Sequence, residues 1–402
     1  MKTPNNRFLK HTLLLPALAG LLFSAFASLQ AQQQPIIIDH NCTNLKAVPM
    51  AWINQAKSDL HVGYGHTSHG HQIIGGLDAI AAFYDDGNYE YSHADTEGKL
   101  HLFEGCGYCD DGELIYDLSH EEQWYPSVKK YLIDHPECNV IMYSWCDING
   151  HDIDYYLERM DSLVVKYGPG GTDPREDVYF VYMTGHANDG SSCEWTHNAN
   201  QKIRNHCKAN NRILFDFNDI ESWNPDGEYF GDGDAQGNYT GIHQLNDDIS
   251  YNKTGGGRGN WGTEWLAANP NDTLALINGS CSACDHSPNS KLHCVLKGMA
   301  TWWLLARLSG WDGNTGGITG VQNVNTQVVK VWPNPVSGSL NIYIPEKEVT
   351  QISMVAPDGR LAKSLITLDA EVAVPVNDLP KGWYVIKVTN NRQSFIDKVL
   401  VQ

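Results

Sequence analysis

Between residues 34 and 311, short apolar runs alternate with stretches in which apolar residues recur every three to four positions. Residues 60–64, 140–143, 178–183 and 212–217 are apolar runs of strand length. Residues 72–84, 121–133, 152–167, 199–209 and 296–308 carry helical spacing. It is clearest in 152–167, where Ile153, Tyr156, Leu157, Met160, Leu163 and Val164 share one face. Strand followed by helix, repeated, predicts an α/β domain over 34–311 with a parallel sheet covered on both faces. A Gly-rich linker follows at 312–327. Beyond it the period changes. Residues 328–331, 339–344, 351–355, 371–376, 383–388 and 395–400 read as strands. Turns such as Pro357-Asp358-Gly359 and Pro380-Lys381-Gly382 separate them, which predicts a small β-sandwich over 328–402.

The N-terminus adds a compartment. Lys2, Arg7 and Lys10 precede an apolar run over 13–27, and Ala31 stands just before a plausible cut. This pattern predicts a signal peptide over 1–31. The run is shorter than the roughly 20 residues of a membrane-spanning helix, and no later segment is long enough, so no transmembrane segment is expected in the mature protein. The chain has 10 Cys, an even number that favours disulfides in an oxidising compartment. Cys106-Gly-Tyr-Cys109 and Cys281-Ser-Ala-Cys284 invite a four-thiolate zinc reading, which their wide separation in sequence opposes. A net charge of −19 excludes nucleic acid and anionic membrane surfaces as partners.

The tail carries ordered motifs: Val331-Trp332-Pro333-Asn334-Pro335-Val336-Ser337-Gly338, Leu340-Asn341-Ile342, Leu379-Pro380-Lys381-Gly382-Trp383-Tyr384-Val385 and Lys398-Val399-Leu400-Val401. They resemble the C-terminal sorting domain of the type IX secretion system. The resemblance implies an Ig-like sandwich, the type IX secretion machinery as partner, and release from or attachment to the outer-membrane surface of a Gram-negative bacterium.

Parallel sheets bind ligands at the carboxyl ends of their strands. Here those ends are chemically dense: Gly65-His66-Thr67-Ser68-His69-Gly70-His71, Ser144-Trp145-Cys146-Asp147-Ile148-Asn149, Thr184-Gly185-His186-Ala187-Asn188-Asp189 and, near the last helix, Cys284-Asp285-His286-Ser287-Pro288-Asn289. The arrangement resembles the SGNH, or GDSL-like, hydrolase superfamily. That resemblance implies a flavodoxin-like sheet, with Ser68 at the nucleophile's place and His286 at the base's place. The family's acid, three residues before the base, is Ala283 here, so Asp285 is the candidate acid. Its amide donor aligns with Ser144-Trp145-Cys146-Asp147, leaving Asn149 or Asn188, with Gly70, to hold an oxyanion. His66, His69 and His186 complete the predicted substrate-binding rim.

The expected function is a secreted serine esterase or deacetylase, acting without a cofactor on an acyl ester, first of all an acylated polysaccharide. Trp145, Trp195, Trp223 and Trp261 are expected near the rim. Two alternatives remain: a hydrolase whose metal is held by His66, His69, His71, His186 and His286, and a non-catalytic glycan-binding surface on the same scaffold. Asp226-Gly-Glu228 and Asp232-Gly-Asp234 suggest calcium but lack the full loop motif.

Overall fold

The computed structural model describes residues 34–106, 113–114, 116–173, 175, 177–314, 329–344, 350–356, 361–389 and 394–402. The predicted signal peptide, nearly all of the linker, Cys109 and the turn at 357–359 lie outside the described residues.

The larger part runs β1 (Ile36–Ile38), α1 (Met50–Asp59), β2 (His61–His66), α2 (His71–Tyr84), β3 (Tyr91–Ser92), β4 (Leu100–Cys106), α3 (Glu121–Asp134) and β5 (Val140–Tyr143). It continues with α4 (Ile153–Tyr167), β6 (Tyr179–Met183), α5 (Cys193–Ala209), β7 (Ile213–Phe215), α6 (Phe217–Glu221), the short pair β8 (Ser250–Asn252) and β9 (Arg258–Asn260), α7 (Trp261–Ala268), α8 (Thr273–Ser280) and α9 (Leu292–Leu308). Seven strands form one sheet in the order β1-β7-β6-β5-β2-β4-β3, and every pairing is parallel.

The apolar runs follow from this burial. In β5, Val140 and Met142 enter the core shared with α2 and α9. Ile141 and Tyr143 enter the core beneath α3, α4 and α5. Both faces are covered, so no polar alternation survives in the sequence. Strands β1 and β4 and helix α1 were not expected. The first two lie towards the sheet edges, and α1 buries only Ile53 and Ala56, so its helical period is faint.

Helices α2 and α9 meet at two glycines. A Cβ on Gly76 would lie 1.9 Å from the Cys294 carbonyl oxygen, and one on Gly298 would lie 2.4 Å from the Gly76 carbonyl carbon. Backbone cannot step aside as a side chain can. Gly76→Ala should therefore cost about 3 kcal/mol or more, read as a lower urea midpoint at unchanged m-value.

The tail has two antiparallel sheets. One holds β10 (Lys330–Trp332), β11 (Ser339–Tyr343) and β14 (Glu371–Pro375). The other holds β12 (Thr350–Val355), β13 (Leu361–Thr367), β15 (Gly382–Thr389) and β16 (Ser394–Val401). Leu340, Ile342 and Val374 from the first share a core with Ile352, Met354, Ile386 and Val399 from the second. Strand β13 falls on no segment expected from the pattern of apolar positions.

Candidate functional site

Chain order places the site. From β2 the chain first builds β3 and β4 on one side, then returns to build β5 on the other. In open parallel sheets ligands bind at such a reversal, which here lies outside the carboxyl ends of β2 and β5. Residue Thr67, extended at φ −135° and ψ 167°, ends β2, and a single 3₁₀ turn over Ser68–Gly70 leads into α2. Ser68 adopts φ 43°, in the left-handed region. For a side chain with a Cβ that conformation costs about 1–2 kcal/mol, and such strain collects at functional sites.

The structure brings Ser68 and His286 together: Ser68 Oγ is hydrogen-bonded to His286 Nε2. Ser68 is half-buried and His286 exposed, so the pair faces solvent. Three features hold His286. His286 is itself left-handed at φ 63°. Its loop is closed by the Cys284–Cys294 disulfide, with Cα atoms 6.0 Å apart. Gln72 Nε2 donates to the neighbouring Asp285 carbonyl at 2.6 Å.

Behind the pair stands a stack of imidazoles. His286 lies on His69 with centroids 3.9 Å apart, and His69 lies on His186 at 3.7 Å. His69 Nε2 meets Asp247 Oδ2 at 3.0 Å. Burial pushes the His69 ring down to about 4, overcoming the Asp247 hydrogen bond, and the two neighbouring imidazoles push the same way. Burial pushes the Asp247 carboxyl up, but the His69 hydrogen bond and the nearby imidazoles leave it below the ordinary value. At neutral pH His69 is a neutral ring beside an ionised carboxylate. His186 Nδ1–H donates to the Ala187 carbonyl at 2.7 Å, and its Nε2 is buried without a partner among the described residues.

Other predicted site residues lie elsewhere. Asp285 turns its carboxylate to His71, 3.5 Å away and two-fifths exposed, and does not meet His286. The two residues are adjacent in sequence, but the backbone turns left-handed at His286, φ 63°. Asp247 places a carboxylate oxygen within 4.8 Å of a His286 nitrogen. Gly70 spends its N–H on the Thr67 carbonyl at 2.8 Å and cannot offer it to an oxyanion. Both amide hydrogens of Asn188 are engaged, by Asp147 Oδ1 at 2.8 Å and Thr196 Oγ1 at 3.1 Å. Asn149 closes a turn, its backbone N–H on Asp147 Oδ1. His66 is buried against Glu104 at 2.8 Å. Trp145 and Trp261 are core residues whose indole N–H groups bond Met183 and Glu221 carbonyls, so neither is a rim platform.

The acidic loop is also accounted for. Asp232 accepts the backbone N–H groups of His243, Gln244 and Leu245 at 2.7–3.0 Å, and Asp234 those of Gln236 and Asn238. These carboxylates stabilise turns. Cys284 pairs with Cys294, and Cys281 is reduced and buried, so Cys284 is not free for a four-thiolate zinc site.

A buried polar network underlies the site. Lys297 and Glu221, both with no exposed side-chain surface, are 2.7 Å apart. Lys297 Nζ also reaches Gln72 Oε1 at 2.6 Å and His293 Nδ1 at 3.3 Å. Glu221 Oε1 accepts the N–H of Ala187. The network thus grips the His286 loop through Gln72 and the His186 loop through Ala187. Burial drives the Lys297 ammonium down to about 8 against the pull of Glu221. Burial pushes Glu221 up, but Lys297 and His293 more than offset it and leave it below its ordinary value.

His293 gives a pH signature. Burial, reinforced by Lys297, pushes it down to about 4, as for His69. The unfolded rings titrate near 6.5, so between pH 6.5 and 4 the unfolded chain binds more protons. Stability is complete above that window and falls as pH drops through it, by roughly 1.4 kcal/mol per pH unit for each ring. Urea denaturation between pH 4.5 and 7.5 reads this slope.

Comparison with known proteins adds the following. Residues 330–402 match the model of the secretion system C-terminal sorting domain. No curated protein matches the chain. Similar solved structures include PorZ, a surface component of the type IX secretion system of Porphyromonas gingivalis, at 20% identity and TM-score 0.17. That match covers 18% of this chain and 11% of PorZ, so the chain spans about a tenth of PorZ's length. An engineered protein matches at 12% identity and TM-score 0.20 over 92% of this chain and 99% of its own. A Cellulomonas fimi endo-beta-1,4-mannanase double mutant matches at 10% identity and TM-score 0.17, over 83% of this chain and 58% of its own. Scores this low carry no argument for the α/β part. No helix among the described residues is long and apolar enough to cross a membrane. Residues 330–402 belong to the C-terminal sorting domains of type IX secretion, and the chain that bears them is a secreted or cell-surface protein.

Proposed function

We propose that the α/β part is a serine ester hydrolase of SGNH type, with Ser68 as nucleophile and His286 as general base. The observation that carries this reading is the Ser68 Oγ–His286 Nε2 hydrogen bond at the carboxyl end of a parallel sheet. The order β4-β2-β5-β6-β7 supports it, being the flavodoxin-like 2-1-3-4-5 order once the edge strands are set aside.

In the reaction, Ser68 gives its proton to His286 Nε2 as Oγ bonds to the ester carbonyl carbon. The first N–H groups of the turn entering α2 have no intrahelical acceptor, and in this reading that of Ser68 donates to the developing oxyanion. The imidazolium is stabilised at charge range by the Asp247 carboxylate, whose oxygen lies within 4.8 Å of a His286 nitrogen. Collapse breaks the acyl–oxygen bond, and His286 returns the proton to the departing alcohol. Water then repeats the sequence on the acyl-serine, releasing the acid and restoring Ser68.

An O-acetyl group on an extracellular polysaccharide is the substrate class that fits an exported chain with a solvent-facing pair. Screening the full chain against short acyl esters and acetylated glycans tests the reading. Turnover in the wild type and its loss in Ser68→Ala are expected. An inert wild type that still retains glycans would favour the non-catalytic binding surface, and turnover unchanged in Ser68→Ala would end the serine mechanism.

A further inference from the structure

We infer that His69, Asp247 and His286 form a Zn²⁺ site whose occupation switches off the Ser68–His286 pair. The inhibitory half of this inference rests on the serine reading above; the site itself does not.

One donor atom from each of the three residues lies within 4.8 Å of the other two. Donors on a tetrahedral zinc, with bonds of about 2.0–2.2 Å, stand about 3.3 Å apart. The His69 Nε2–Asp247 Oδ2 separation of 3.0 Å already has that span. Two imidazoles and a carboxylate suit zinc, whereas calcium and magnesium require oxygen cages. A fourth position is left to water. His186, packed on the far face of His69, holds that ring, and the exposed His286 ring turns off its stack on His69 so that both in-plane lone pairs reach one ion.

The consequence for the base is chemical. A neutral imidazole has one nitrogen lone pair, and its other nitrogen carries the proton. A metal on His286 takes the lone pair, whichever nitrogen it uses. What remains is an N–H, which cannot accept the Ser68 proton. Zinc therefore competes with catalysis without touching Ser68.

The test uses the full chain stripped with chelator and titrated with ZnSO₄ by calorimetry, with metal analysis after gel filtration. Binding is expected to weaken by more than about tenfold in Asp247→Asn and in His69→Gln, and to be unchanged in Ser68→Ala. Melting curves verify that each variant is folded, and Asp247→Asn, on a half-buried loop, guards against loss of His69 unfolding the stack. Absence of zinc uptake, or uptake unmoved by either substitution, overturns the site. In the second arm, ester turnover should fall with the binding midpoint and return with chelator. Turnover that rises with zinc overturns the inhibitory role. A zinc-free wild type that turns over no ester counts against the serine reading, and the calorimetric arm then decides the site alone.

Discussion

His286→Ala is expected to reduce ester turnover by roughly 10⁴-fold or more while leaving the melting temperature near that of the wild type. The Ser68 hydroxyl is a poor nucleophile at its free pKa and depends on a base within hydrogen-bond reach, and His286 Nε2 is bonded to it. His286 is exposed, so truncation opens no cavity. The effects should not add. Once the base is gone, removing Ser68 as well takes little more, because the two act as a unit. Steady-state kinetics of the two single variants and the double variant measures this. A double variant slower by the product of the single losses would mean that the two side chains act independently, contrary to the mechanism.

The second large effect is on stability. Lys297→Met removes the ammonium that pairs with the buried Glu221 carboxylate, which costs about 3–5 kcal/mol. Lys297→Met with Glu221→Gln should recover more than half of that. The amide carries no charge, and its carbonyl oxygen can still accept the Ala187 N–H that Glu221 now accepts. Urea denaturation of the four proteins closes the cycle, and equal losses in the single and double variants would show that the charge pair is not what Lys297 contributes. Residual ester turnover should fall in Lys297→Met as well, since Gln72 then loses the ammonium that anchors it beside the His286 loop.

Ser68 and His286 could be singled out in the sequence because each adjoins an element whose period is plain: the apolar strand before one, the long apolar helix after the other. The same logic does not reach the carboxylate nearest His286. Asp285 is next to His286 in sequence, but the backbone turns between them, and the carboxylate that serves the stack comes from Asp247, in a loop with no period to read. Lys297 was hidden differently. A lone lysine in a helix of apolar residues is expected to reach its ammonium to the surface. Only the tertiary partner, Glu221 on the short α6, shows that it stays inside. Gly70 and Asn188 had the right chemistry at the right strand ends, but local turns and a neighbouring carboxylate had already claimed their N–H groups. The tail was more legible than the α/β part, since its turns punctuate nearly every strand.

The cystine between Cys284 and Cys294 encloses the segment that carries His286. A reducing cytosol opposes its formation. Before export, the imidazole rides on a loop that lacks this covalent closure. On the serine reading, hydrolytic competence is thereby deferred until oxidation outside the cytosol, and the cell's own acyl esters are spared during transit.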